Sequence, residues 1–346
     1  MTSAITSTSK RAAGAIAGRQ ADGWQQALRA AIRDPLELLA RLGLQDSALA
    51  AQIQRQPAFR LLAPLPFVAR MRYGDPADPL LRQVLAVRAE QVEVAGFSAD
   101  PLHEAQHSPV PGLIHKYRGR ALLIATSACA VHCRYCFRRE FPYTDHRLDG
   151  AAGDRAVAAL QQDASLHEVI LSGGDPFMLK DASLADLIGR CAGIGHLHTL
   201  RIHTRLPVVI PDRVTQALVH TLHASRLRTV VVLHANHPAE IDSAVGTAVA
   251  QLTQAGCTVL NQSVLLAGVN DCSATLIELS ERLFSVGVLP YYLHLLDPVR
   301  GAAHFAVPEA TGRRLITAVR ARLPGYLVPR LVRETPGAAA KQVLAG

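Results

Sequence analysis

Thr126-Ser127-Ala128-Cys129-Ala130-Val131-His132-Cys133-Arg134-Tyr135-Cys136-Phe137-Arg138-Arg139-Glu140 follows directly on the apolar run Ala121-Leu122-Leu123-Ile124-Ala125. The run reads as a strand. The C-x3-C-x2-C spacing beyond it reads as one tight loop at the strand's carboxyl end, able to aim three thiolates at one point. Three Cys ligands on a four-iron cluster leave one iron open, so that iron can hold and reduce a ligand instead of only passing electrons. The competing reading is a structural zinc site, or a plain reduced thiol site. Zinc usually wants four closed ligands in paired Cys or His arrangements, and no second pair lies nearby. His132 could serve as a fourth ligand only if the same loop folded back on itself.

The 346 residues suffice for two average domains, or for one large α/β domain with an extension. The six cysteines do not form a disulfide framework: three are clustered, while Cys191, Cys257 and Cys272 stand singly and read as core residues or inert thiols. Met1 to Lys10 holds no apolar signal core, and no later stretch approaches about eighteen uninterrupted apolar residues. A soluble cytoplasmic protein without membrane contact is expected. The net charge of +8 would suit a nucleic-acid partner, but the arginines are dispersed, with the doublets Arg138-Arg139 and Arg313-Arg314 and no basic block. Charge alone therefore does not call for nucleic acid.

Residues 1–20 are rich in Ser, Thr, Ala and Gly and are expected to be loosely ordered. Residues 21–110 read as a mainly helical N-terminal region and linker. Trp24, Leu28, Ile32, Leu36, Leu39 and Leu42 recur at helical spacing, and Asp34-Pro35 closes one helix and starts the next. A further helix is expected over Ser47–Gln54, before Pro57, Pro64 and Pro66 break the pattern and Gly74-Asp75-Pro76-Ala77-Asp78-Pro79 marks a linker. This preface suits packing or partner contact better than chemistry. Over residues 111–325 strand and helix alternate. Strands are expected at Ala121–Thr126, Glu168–Leu171, Thr199–His203, Thr229–His234, Thr258–Val264 and Pro290–Leu295. The helices between them are Ala152–Gln162, Ser183–Ala192, Pro211–His223, Pro238–Ala255 and Ser273–Val286. Such βα steps imply a parallel sheet that curls, with too few units to close an eight-stranded barrel, so a partial (βα)6 TIM-like barrel is expected.

In that architecture chemistry gathers where the strands end. The second strand ends in Leu171-Ser172-Gly173-Gly174-Asp175-Pro176, whose glycines allow close backbone approach to a ligand and whose Asp175 can accept from an ammonium or hydroxyl. By itself this is an ordinary strand-to-helix turn. His234 and His237 suggest metal ligands, but no third ligand is evident, and hydrogen bonding in a polar pocket fits them better. Asn261-Gln262-Ser263 places polar side chains on an otherwise buried strand, where a bound ligand is one way to satisfy them.

The cysteine spacing with Phe137 behind it, and the Gly-Gly-Asp-Pro turn one strand later, resemble the radical-SAM signature and the segment that holds the methionine amino group of S-adenosylmethionine. A longer ordered set resembles the lysine 2,3-aminomutases: His115-Lys116-Tyr117-Arg118-Gly119-Arg120, Cys133-Arg134-Tyr135-Cys136-Phe137-Arg138-Arg139, Asn261-Gln262-Ser263-Val264-Leu265-Leu266, and Tyr291-Tyr292-Leu293-His294 before Asp297. With Gly74-Asp75-Pro76 and Asp78-Pro79-Leu80-Leu81-Arg82, the set is most similar to the short bacterial branch that makes β-lysine for elongation factor P.

The resemblance implies the radical-SAM form of the partial barrel. It also implies a [4Fe-4S] cluster on Cys129, Cys133 and Cys136, with S-adenosyl-L-methionine against Ser172, Gly173, Gly174 and Asp175. Pyridoxal 5'-phosphate would sit as an imine on Lys341, in a C-terminal segment at 326–346, with Lys116, Arg120 and Gln262 as further cofactor contacts. Arg138 would hold the substrate carboxylate, because a planar guanidinium suits that task. Asp297 and Glu334 would face the substrate's ε-ammonium. Without the resemblance these charged residues read as surface groups.

The reaction implied takes a hydrogen from the β-carbon of lysine and moves nitrogen from C2 to C3. Implied partners are an electron donor such as flavodoxin or ferredoxin, and elongation factor P with its lysyl-transferring ligase; a homo-oligomer is left open. Free-lysine catabolism is the alternative role, ranked lower because the chain ends soon after Lys341. A radical-SAM enzyme that modifies RNA is the alternative of another class, and predicts salt-sensitive RNA binding with no role for Lys341.

Overall fold

The computed structural model describes residues 23–346 apart from 147 and 149; the expectation for residues 1–20 lies outside that range. The described residues form a nine-stranded sheet in the order β1 to β9. Its strands are β1 (Leu113–Tyr117), β2 (Arg120–Thr126), β3 (Glu168–Gly173), β4 (Thr199–Thr204), β5 (Arg228–His234), β6 (Thr258–Leu265), β7 (Leu289–Leu295), β8 (Arg330–Arg333) and β9 (Gln342–Ala345). β2 through β8 pair in parallel, while β1 and β9 are antiparallel edge strands. Because the strand order never reverses, the sheet winds one way and curls instead of forming a doubly wound layer. β2 to β7 are the expected six units of a radical-SAM partial barrel.

β5 shows why these segments are strands. Val231, Val232 and Leu233 are wholly buried, as a parallel strand covered on both faces requires. The helices Gly150–Gln162, Asp181–Ala192, Gln216–Ala224, Ser243–Gln254 and Ser273–Ser285 connect successive strands and bury Leu160, Leu184, Ile188, Leu218, Val249 and Leu252 in the core. Two expected helices are shorter than their periodicity suggested. Pro211 and Pro238 each open a separate 3-10 turn, and the helices begin only at the caps Thr215 and Asp242, whose side chains accept from Leu218 N and Val245 N.

The N-terminal region consists of short helical pieces joined by turns. Asp34 caps Pro35–Arg41 by accepting from Leu36 N at 2.9 Å, as expected for that junction. Ser47–Gln54 gives only the 3-10 turn Ala48–Ala51, which buries no residue and so has nothing to hold a longer helix. Trp24, Leu38, Leu39 and Phe67 join the same core as the barrel. No helix among the described residues is long and apolar enough to cross a membrane.

Candidate active site

A cavity of about 490 Å³ opens at the carboxyl ends of the strands. Alternate positions point into it: Ile170 and Ser172 on β3, Arg201 and His203 on β4, Gln262 and Val264 on β6. A barrel interior this polar is built around ligands, since a packed one is filled with aliphatic side chains. Cys129, Cys133 and Cys136 lie on its wall, as do Ser172, Gly173, Gly174, Asp175, Gln262, Lys116, Arg120, Arg138, Asp297, Glu334 and Lys341. The structure thus brings every sequence-predicted site residue to one space.

Close backbone packing fixes the cysteine loop. Gly174 N donates to Thr126 O at 2.7 Å and Asp175 N to Ala128 O at 2.8 Å. A Cβ on Gly174 would stand 2.3 Å from Ala128 O, so only glycine permits this approach. These amides serve the loop. The reading of Asp175 as an acceptor for a ligand's ammonium or hydroxyl needs correction. Asp175 is buried, and its carboxylate accepts from Phe177 N, Thr204 Oγ1, Arg205 N and Leu206 N at 2.6 to 3.0 Å. It fastens the end of β3 to the end of β4 and has no open acceptor for an ammonium group.

The arginines of the loop are anchored by two acids from the N-terminal region that sequence reading missed. Glu90 accepts from Arg134 Nε at 2.8 Å and from Arg139 Nη2 at 2.7 Å. Glu104 takes both sides of the Arg138 fork, at 2.7 and 2.8 Å, while Arg138 Nη1 donates to Ser172 Oγ at 3.0 Å. Buried arginines signal such partners in general, but no spacing pointed to these two. His132 is turned away: its Nδ1 meets Arg60 O at 2.8 Å and its ring stacks on Phe59.

From Arg138 the charges alternate across the cavity. Glu104 lies 3.3 Å from Lys116, Lys116 lies 3.0 Å from Glu334, and Glu334 pairs with Lys341. Lys116 is on β1 and Glu334 follows β8, so this ion pair joins elements near opposite edges of the sheet. Glu334 and Lys341 meet because Arg333 pairs with Gln342 in the β8–β9 hairpin and the intervening loop closes tightly. Ala338 N donates to Thr335 O at 3.1 Å around Pro336 and Gly337, whose φ of +77° suits the third position of a type II turn. Burial raises the Glu334 carboxyl, but Lys341 and Lys116 outweigh it and bring it down to about 2. Asp297 is pushed up to about 7 by desolvation and then by Glu334.

Other expected groups are engaged within the protein. Asn261 and Ser263 bond the backbone of Ala235, stitching β5 to β6, and only Gln262 between them faces the cavity. His234 Nε2 meets Tyr135 Oη at 2.8 Å, and burial takes the ring down to about 3, so it is neutral. His237 accepts from Ala239 N as a cap.

The donor set fits an iron-sulfur cluster. Burial, then the charges of Cys136, Asp175 and Cys133, push the Cys129 thiol up, and burial with Cys133 pushes Cys136 up to about 11. Thiolates placed together here call for positive charge among them, which iron supplies. Among the described residues no three His, Cys, Asp or Glu side chains close to the spacing of a single metal ion. In a cluster each thiolate sits on a different iron, which suits this loop better than a zinc cage. The cavity wall also holds His203 Nε2, shielded from solvent and without a partner, as a ligand-facing group would be.

A curled parallel sheet with a three-thiol loop at its carboxyl end defines a radical-SAM enzyme. Residues 118–200 match the family model described as a 4Fe-4S single cluster domain. The chain is 46% identical over 324 residues to the L-lysine 2,3-aminomutase of Escherichia coli K12, covering 93% of this chain and 94% of that protein. It is 45% identical over 319 residues to that of Haemophilus influenzae, covering 92% and 94%. With the L-lysine 2,3-aminomutase of Clostridium subterminale it shares 38% over 272 residues, 78% of this chain and 64% of that protein. A solved radical SAM methyltransferase from Sphaerobacter thermophilus superposes with a TM-score of 0.44 at 19% identity, over 64% of this chain and 68% of that one. The chain belongs to the lysine 2,3-aminomutase family. It is therefore an isomerase, of a family whose cofactors are a [4Fe-4S] cluster, S-adenosylmethionine and pyridoxal phosphate.

Proposed function

We propose that the chain converts L-α-lysine to β-lysine, with Cys129, Cys133 and Cys136 holding the cluster and Lys341 holding pyridoxal phosphate. The observation that carries this reading is the single cavity, with three thiols on its wall and alternating charges running from Arg138 to Lys341. When bound, the cluster and S-adenosylmethionine supply a 5'-deoxyadenosyl radical, and pyridoxal phosphate supplies a carbonyl to carry the migrating nitrogen. The chain's own residues bind, orient and shelter. Arg138 receives the substrate carboxylate, while Asp297 and Glu334 face its ε-ammonium. Lys116, Arg120 and Gln262, which line the same cavity, hold the pyridoxal phosphate. Burial in the cavity keeps water from the reacting carbon.

The product's use in modifying elongation factor P is the finer reading. It rests on the segments shared with the short bacterial branch and on Glu334, where free-lysine enzymes carry Asp. A low-potential one-electron donor of the flavodoxin or ferredoxin kind, and a cytoplasmic setting, belong to the same reading.

The test is anaerobic reconstitution with iron, sulfide, pyridoxal phosphate and S-adenosylmethionine, followed by chromatographic search for β-amino acids from lysine and other amino acids. β-Lysine as the main product supports the reading. Cleavage of S-adenosylmethionine with no β-amino acid from any substrate would sink it. Transfer of the product to elongation factor P by its ligase, in the same vessel, tests the finer role.

A further inference from the structure

Arg205, directly after β4, takes no part in the chemistry proposed above. Its side chain is buried, and its Nη1 donates to Cys133 Sγ at 2.7 Å and to Tyr135 Oη at 2.8 Å. Its Nη2 donates to Gln83 Oε1 at 2.7 Å and to Glu240 Oε2 at 2.9 Å. Glu240 is itself wholly buried and also accepts from Gln83 Nε2 and Asn236 N, while Asn236 donates to Tyr135 Oη. The backbone of Arg205 is pinned too, through Asp175. A guanidinium is thus held rigidly on one sulfur of the loop, with a single carboxylate balancing it from behind.

We propose that Arg205 sets the reduction potential of the iron-sulfur cluster by donating a charge-assisted hydrogen bond to the Cys133 sulfur. The proposal rests on the reading of Cys133 as a cluster ligand. Reduction adds one electron to the cluster, with no bond made or broken, so the cluster and its three thiolates become more negative by one charge. A cation on a ligand sulfur stabilises that state and raises the potential. Glu240 offsets part of the effect, and the strength of the Arg205–Glu240 pair becomes the adjustable quantity. Arg205 is a positioning and tuning residue, since it acts through a ligand and touches no substrate.

The experiment is reductive titration of anaerobically reconstituted protein without S-adenosylmethionine, followed by visible absorbance and EPR, with iron and sulfide counted for each variant. Replacing Arg205 alone would take from buried Glu240 the guanidinium paired with its carboxylate, so the first variant is Arg205→Gln/Glu240→Gln, which removes both charges. It is expected to hold wild-type iron and to reduce at a lower potential. Glu240→Gln alone, which leaves the guanidinium unbalanced, is expected to reduce at a higher one. Should the double variant fail to fold, Arg205→Lys keeps a cation for Glu240 but gives up the fork, and its potential is expected to fall. Potentials equal to wild type at equal iron content overturn the role of Arg205 and leave the cluster assignment standing. A wild-type protein that takes up no cluster overturns the cluster reading, and this proposal with it.

Discussion

Arg138 and Glu104 are joined by two parallel bonds of 2.7 and 2.8 Å, so the fork proposed for the substrate's carboxylate already holds a carboxylate of the protein. Glu104 and the substrate then compete for one guanidinium. Glu104→Gln keeps the shape but weakens the competitor, and the KM for lysine should fall several-fold. The same change leaves Arg138 buried beside a neutral partner and should cost on the order of 3–5 kcal/mol in denaturant unfolding. Arg138→Ala should raise KM about ten- to a hundred-fold, the worth of a charged hydrogen bond. An unchanged KM in both variants would remove Arg138 from the substrate's path.

Lys341→Ala should abolish turnover and also the borohydride-fixed attachment of pyridoxal phosphate, read as the cofactor's added mass on the peptide containing position 341. The cysteine loop is remote in sequence and its iron content should be unaffected. Retained attachment would place the cofactor on another lysine.

Two carboxylates near that lysine respond to pH in opposite senses. Asp297 is raised to about 7, above its unfolded value of about 3.9, so its ionised form weighs against the fold increasingly as pH rises from about 4 to about 7. As a binder of ammonium it gains charge over the top of that range, so lysine affinity should rise between about pH 6 and 8. Asp297→Asn should flatten that profile. Glu334 is lowered to about 2, so its contribution is fully present above about pH 4.5 and is lost as pH falls towards 2. Binding of a lysine isostere followed across this range decides between the two acids.

Gly174→Ala places a Cβ against the carbonyl of Ala128, where backbone and not a flexible side chain must yield. The cysteine loop should shift, and reconstituted iron per chain should drop well below wild type while the far-ultraviolet circular dichroism stays near it. Full iron loading in this variant would show that the loop tolerates a wider spacing from β3.

The parts of this architecture visible in the sequence are those that repeat. Runs such as Thr229-Val230-Val231-Val232-Leu233 announce buried parallel strands, and three cysteines in eight residues at 129–136 announce a loop that grips something. β8 and β9 are four residues each and carry no such period, so the C-terminal segment reads as a tail although it is a hairpin completing the sheet. Glu90 and Glu104 stand in a stretch of turns where nothing local marks an acid as buried; only their arginine partners, distant in sequence, give them meaning. Asp175 shows the converse. Its place in a motif suggests an open acceptor, but the local Phe177 amide takes one share of its capacity, and the Thr204 hydroxyl with the Arg205 and Leu206 amides, neighbours only when β3 and β4 align, take up the rest.

The ion pair between Lys116 and Glu334 spans 218 residues and bridges the seam of an open sheet. Among the described residues no backbone ladder closes that seam, so whatever loosens the first hairpin or the last would part the two residues together with the groups beside them. Competence for chemistry is in this way made conditional on the barrel being fully rolled, and a protein frayed at either rim would be switched off before it came apart.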